Sequence, residues 1–202
     1  MDIYIPELLK DLLPKPLLTQ CHAYHFDKGD YLFHQSKKPE SMFFIVSGEA
    51  VLTRTSPHGG TTTLQRCKGG FVSEASLLVD AYHCDAIATR SGQAITLPIK
   101  SLRDALADSK FSLKWVQLLS KEIMRLRTQS ERLGLKDIRS KLIHLIETEG
   151  KQGVLMLQSD FKSIASEIGV THEALYRAMA ALEQEGLLKK LPDSLKLLQK
   201  RK

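Results

Sequence analysis

The sequence predicts an α+β chain: an N-terminal β-roll of the jelly-roll type, a long helix, and a C-terminal winged helix-turn-helix. Three observations carry this reading. Short segments rich in β-branched and aromatic residues alternate with glycine-bearing turns through the first hundred residues. From about Ser109 the apolar spacing becomes that of a helix. Residues 160–185, DFKSIASEIGVTHEALYRAMAALEQE, carry the small residue, the turn glycine and the cap of two crossing helices.

A short amphipathic helix opens the chain, from Pro6 to about Leu18. The segments AYHF, YLFHQ, SMFFIV, AVLTRT, TTLQRC and DAIAT then read as strands. KGD (28–30), SGE (47–49), PHGG (57–60), KGG (68–70) and SGQ (91–93) read as the turns between them. Glycine supplies the positive φ that tight turns require. Regular short strands with such punctuation fit a roll or barrel.

In the middle, Val116, Leu119, Ile123, Leu126, Ser130 and Leu133 step by three and four residues. That is the a/d seam of a coiled coil. One reading is an amphipathic helix packed on its own domain; the other is a parallel two-stranded contact between identical chains. Lys121, Glu122, Arg125, Arg127, Glu131 and Arg132 fill the flanking positions. Gly134 interrupts this helix, and Asp137 is placed to N-cap the next, IRSKLIHLIET, which ends before Gly150.

In the 160–185 segment, Ile164, Ala165 and Ile168 bury one helix, and Leu175, Ala178 and Leu182 bury the second. Ala165 lets the helices cross closely, Gly169 admits the left-handed turn, and Thr171 caps the second helix. The exposed face of that helix holds His172, Glu173, Tyr176 and Arg177. Arg can pair with guanine O6 and N7, and Glu can accept from cytosine N4. LLKKLPDSLKLL then reads as a wing of two strands about a Pro-Asp-Ser turn, with Lys189, Lys190 and Lys196 available to phosphates.

Composition agrees with this division. The chain has 202 residues, 43% hydrophobic and 26% charged, with a net charge of +6. Residues 1–99 hold 9 Lys+Arg against 10 Asp+Glu, whereas residues 100–202 hold 20 against 13. A basic second half suggests a polyanionic partner. Cys21, Cys67 and Cys84 stand apart, without a disulfide framework or metal-ligand spacing, which fits a reducing cytoplasm. No apolar run is long enough to span a membrane, and the N-terminal residues do not read as a signal peptide. No catalytic motif is present, so no enzyme is expected.

The order of these parts resembles the cyclic-AMP receptor protein and fumarate–nitrate reductase regulator (CRP/FNR) superfamily of bacterial transcription regulators. The resemblance is carried by KGDYLFHQ, MFFIVSGEAVL, FVSEASLL and IASEIGVTHEALYRAMAALEQEGLL. It implies a homodimer on pseudo-palindromic double-stranded promoter DNA, with RNA polymerase admitted as a further partner and a small effector sensed by the roll. The implied division is a sensor over 1–108, a dimerisation helix over 109–135 and a DNA-binding domain over 136–202. Where many members show Ser-Arg-Glu-Thr-Val-x-Arg, this chain has Thr171 through Arg177; the Glu and final Arg match, and His172 replaces an Arg.

The stretch SEASLLVDAYHCDAIA, residues 73–88, falls on the family's phosphate cassette. Glu74 matches the ribose-binding Glu. Ser73 replaces a Gly, His83 replaces the phosphate-pairing Arg, and Cys84 replaces a hydroxyl residue. The adenine-contacting Thr-Ser pair falls near Leu126 and Arg127, with Ser130 nearby. A histidine lacks the permanent charge and fork geometry of a guanidinium. The altered cassette therefore predicts a sensor that does not depend on cyclic AMP; no cofactor is expected and the effector stays open. Arg90 is the only nearby Lys or Arg in the sequence, so nothing there argues for a reactive Cys84 thiolate. The rival reading is a ligand-binding module acting on a protein partner, which would leave residues 160–198 without a role.

Overall fold

The structure is a computed structural model and describes residues 4–56, 58–157 and 160–198. Pro57 of the expected PHGG turn, the first three residues of the N-terminal reading and residues 199–202 lie outside the described residues. Two compact units divide the chain, Met1–Gln117 and Leu118–Lys202.

In the first unit the expected opening helix is two short ones, α1 (Glu7–Leu12) and α2 (Lys15–Leu18). Pro14 is the reason: Leu13, before it, is pushed to φ −88° and ψ 141°, outside the helical region. The strands are β1 (His22–Phe26), β2 (Tyr31–Phe33), β3 (Ser41–Thr55), β4 (Thr61–Cys67), β5 (Gly70–Val72) and β6 (Asp85–Pro98). They form one antiparallel sheet in the order β1-β6-β3-β4, with β2 added to β6 and β5 to β3.

SGE and SGQ are not turns between strands, as the sequence suggested. They are kinks inside β3 and β6. Gly48 has φ +85°, and a Cβ built on Gly92 would stand 2.1 Å from the Ser47 carbonyl oxygen. Two glycines facing each other let the long strands cross closely at an irregular register. On one side of the kink β3 pairs with β5, on the other with β4; β6 likewise passes from β2 to β1. The doubled sheet closes over Phe26, Phe33, Phe43, Ile45, Leu52, Val72, Tyr82 and Cys84. Phe33 and Tyr82 stack at 4.1 Å, and Tyr82 donates to the Ser41 carbonyl at 2.6 Å. A helix that the strand pattern did not reveal, α3 (Ile99–Ala105), follows β6 and buries Ile99 and Leu102.

Helix α4 runs from Ser109 to Gly134. Its first turns belong to the roll unit, where Trp115 packs edge-on against Phe71. The second unit continues with α5 (Ile138–Glu149), β7 (Val154–Met156), α6 (Phe161–Glu167), α7 (His172–Gln184), β8 (Leu188–Leu191) and β9 (Ser194–Leu197). Asp137 caps α5 as expected, accepting from the Ser140 N–H at 2.8 Å. The wing hairpin β8–β9 forms, and β7 joins it in a three-stranded sheet that the sequence did not announce. The core gathers Leu142, Leu145, Ile146, Ile164, Ile168, Leu175, Met179, Leu182 and Leu195. Met179 takes the fully buried place expected for Ala178, which is half-buried.

Arg132 departs most from its expected place. Its flanking heptad position predicts a solvated side chain, yet it is 0% exposed. Its guanidinium donates to Glu167 Oε1 at 3.1 Å, Thr148 Oγ1 at 3.1 Å, His144 Nδ1 at 3.4 Å and the Glu149 carboxylate. Stepping by three and four cannot reveal this, because the burial comes from α5 and α6 closing over one side of the last turn of α4.

Candidate functional site

The polar face of the second unit is built on a sharp turn. Asp160 caps α6 by accepting from Ser163 N–H at 2.8 Å. Gly169 follows at φ +69°, a left-handed geometry that disfavours any side chain. The Val170 N–H returns to the Ala165 carbonyl at 2.9 Å. Thr171 then caps α7, its hydroxyl accepting from Ala174 N–H at 3.2 Å. These are local bonds among residues close in sequence, and so the 160–185 pattern was readable.

With Leu175, Met179 and Leu182 turned inward, α7 leaves His172, Glu173, Tyr176 and Arg177 exposed. The Glu173 carboxyl lies below the ordinary carboxylate range, chiefly through its own backbone N–H and then the Thr171 hydroxyl. Arg177 lowers it as well. Tyr176 meets His172 and Phe161 edge-on at 4.7 and 5.5 Å. Lys190 Nζ sits 4.6 Å from the Phe161 ring centre and 5.1 Å from that of Tyr176. The Lys190 N–H donates to Glu183 of α7 at 2.9 Å. The wing is thereby tied to the exposed helix by a cation over two rings and by a backbone bond.

Lys189 and Lys196 are cross-strand partners in β8–β9, both exposed. Like charges directly opposite are destabilising in isolation. A polyanion reverses that sign, because each ammonium can then meet a phosphate. Along α4 the seam residues Val116, Ile123, Leu126 and Leu133 are exposed, Val116 at 57% and Ile123 at 49%. Leu119 is half-buried and Ser130 exposed.

In the roll, β5 runs into a 3₁₀ turn, Glu74–Ser76. Ser73 stands at φ 75° and ψ 13°, a left-handed conformation natural to glycine. It is 3% exposed, and neither its hydroxyl nor that of Ser76 has a hydrogen-bond partner among the described residues. Glu74 is half-buried. His83 is largely exposed, but the partial desolvation of its ring, together with Arg54, holds its imidazole below the ordinary value. Near neutral pH it is therefore mostly uncharged.

Arg54 was not found in the sequence. It comes from the far end of β3 and donates from Nε to the His83 carbonyl at 3.2 Å. No local motif joins residues 29 apart; only the pairing of β3 with β6 brings the two together. Cys84 is fully buried in the roll core, and burial pushes its thiol up to about 11. That is the opposite of a reactive thiolate. Leu126, Arg127 and Ser130 lie exposed on α4 in the second unit.

A comparison with known proteins gives a consistent outcome. The cyclic nucleotide-binding domain family matches residues 24–109. The chain is similar to the cAMP-activated global transcriptional regulator CRP of Salmonella typhimurium, 22% identical over 184 residues, covering 85% of this chain and 87% of the relative. It is also similar to the global nitrogen regulator of Synechocystis sp., 23% identical over 176 residues, covering 81% and 78%. Among solved structures, FixK2 from Bradyrhizobium japonicum superposes with a TM-score of 0.64 at 17% identity, covering 89% of this chain and 93% of that one. The c-di-GMP responsive global regulator CLP of Xanthomonas campestris gives 0.60 at 17% identity, covering 90% and 96%.

Proposed function

We propose that this is a CRP/FNR-type transcription regulator that works as a homodimer reading pseudo-palindromic promoter DNA independently of cyclic AMP; the cyclic nucleotide-binding domain match and the likeness along most of the chain support the reading. The observation that carries the DNA reading is the exposed face of α7, Thr171 to Arg177, beside a wing in which Lys189 and Lys196 stand opposite each other. In this reading His172, Glu173 and Arg177 address base edges. Tyr176 and Lys190 hold the wing against the helix, and Lys189 and Lys196 take phosphates. The exposed seam from Val116 to Leu133 is the dimer contact. The implied division is sensing by residues 1–108, dimerisation by 109–135 and DNA binding by 136–202. RNA polymerase and the cytoplasm are the partner and the place that this function implies.

Independence from cyclic AMP rests on the cassette. Ser73 puts a side chain where a ligand phosphate needs bare backbone, and His83 is uncharged near neutral pH. Losing a charge-assisted contact weakens binding by about 1.5–3 kcal/mol. The decisive experiment selects bound duplexes from random DNA, with and without cyclic AMP. Two related half-sites should emerge about one helical turn apart, the same in both arms. Recovery of no preferred sequence would sink the DNA reading. A preferred sequence appearing only with cyclic AMP, or a saturable rise in melting temperature at micromolar ligand, would sink the cyclic-AMP independence.

A further inference from the structure

We infer that Arg132 is a positioning residue that holds α7 at a set angle to the seam of α4, and so sets the spacing of half-sites the protein accepts. The inference rests on the DNA-binding reading above. Arg132 is in the last turn of α4, one residue from the seam position Leu133, and is wholly buried. Its partners lie on two other elements: His144, Thr148 and Glu149 on α5, and Glu167 at the end of α6. Glu167 is two residues before the turn glycine. Leu133 meets that turn directly, since a Cβ built on Gly169 would stand 3.1 Å from Leu133 Cδ2. One guanidinium therefore joins the seam helix, the helix behind it and the helix that launches α7.

The chemistry argues for geometry rather than stability. A buried ion pair is often no more stabilising than apolar packing of the same volume, but it accepts only one arrangement of its partners. Here the cation is completely withdrawn from water while Glu149 and Glu167 remain 43% and 38% exposed. Two carboxylates share one guanidinium, and Glu131 approaches His144 Nε2 at 3.6 Å behind it. Burial and the neighbouring Glu149 raise the Glu167 carboxyl, and Arg132 opposes that rise. Without the guanidinium the two carboxylates repel, and the ends of α5 and α6 lose their common anchor to α4. The planar fork of arginine can meet both acids at once, whereas a lysine ammonium is a single point.

The test uses the full chain and the duplex that the native protein selects. Affinity is measured for that duplex, for the same duplex with one half-site scrambled, and for versions with one base pair added or removed between half-sites. Arg132→Met should weaken binding to the two-half-site duplex by about ten-fold or more. It should change binding to the single half-site by less than about two-fold and flatten the spacing preference. Arg132→Lys should fall between the two. Equal losses on both duplexes, or an unchanged spacing preference, would overturn the inference. If Arg132→Met unfolds at assay temperature, Arg132→Lys carries the comparison, and a native spacing profile in that variant overturns the inference equally. Native protein that selects no duplex at all removes the DNA reading itself, a failure distinct from a native protein that selects well while its Arg132 variants do the same.

Discussion

Replacing Ser73 by glycine should stabilise the roll, although it removes atoms from a buried site. Ser73 is held at φ 75° and ψ 13°, which for a residue with a Cβ costs about 1–2 kcal/mol. Its hydroxyl is buried without a hydrogen-bond partner among the described residues, a further penalty of about 1–3 kcal/mol. Against this, glycine gains entropy in the unfolded chain, worth about 0.4–1 kcal/mol, and a buried CH₂ worth about 0.8 kcal/mol is lost. The balance is centred on roughly 2 kcal/mol in favour of Ser73→Gly. For a unit of this size that raises the melting temperature by about 8 °C. Calorimetry or urea unfolding of the full chain, followed through the transition that includes the roll, reads the shift. A loss of stability of even about 1 kcal/mol would refute the reasoning, because it would mean that the hydroxyl is satisfied or the turn is not left-handed. Strain of this kind concentrates at functional loops, and here it falls on the turn that leads into Glu74–Ser76.

Arg177→Ala should weaken specific DNA binding by about 1–3 kcal/mol in a titration while leaving the melting temperature within error, because the side chain is exposed. Gly92→Ala should unfold or destabilise the roll by more than about 3 kcal/mol, since the new Cβ would meet backbone atoms of Ser47 and Gly48 that move only if β3 leaves β6. Gly134→Ala, where nothing stands within 4 Å, is the control and should stabilise by up to about 1 kcal/mol. Asp137 is held below the ordinary carboxylate value by the Ser140 N–H and hydroxyl. Its contribution is thus complete above about pH 4 and lost as pH falls through the lowered value. Acid titration of stability should show that loss in the native chain and a flatter course in Asp137→Asn.

Much of the second unit was legible because its signals are short-range. Asp137 and Thr171 each bond an N–H three residues ahead, and Gly169 answers a local demand for positive φ. The turn from β1 to β2 was legible for the same reason, with Gly29 at φ +101°. The same rule misled at Gly48 and Gly92, where glycine serves close approach between strands rather than chain reversal. Helix α3 and strand β7 escaped notice because they are seven and three residues long, too short to display a period.

The order of amino acids alone determined most of the strands and the long helices, the caps at Asp137 and Thr171, the turns at Gly29 and Gly169, and which face of α7 is polar. These depend on the preferences of single residues and on bonds spanning a few positions. Folding in three dimensions decided that β3 and β6 cross at paired glycines, that Arg54 reaches His83, that Cys84 is sealed in the core, and that Arg132 is buried. Each of those unites groups distant along the chain, and no local pattern encodes a contact whose partner is supplied by another element.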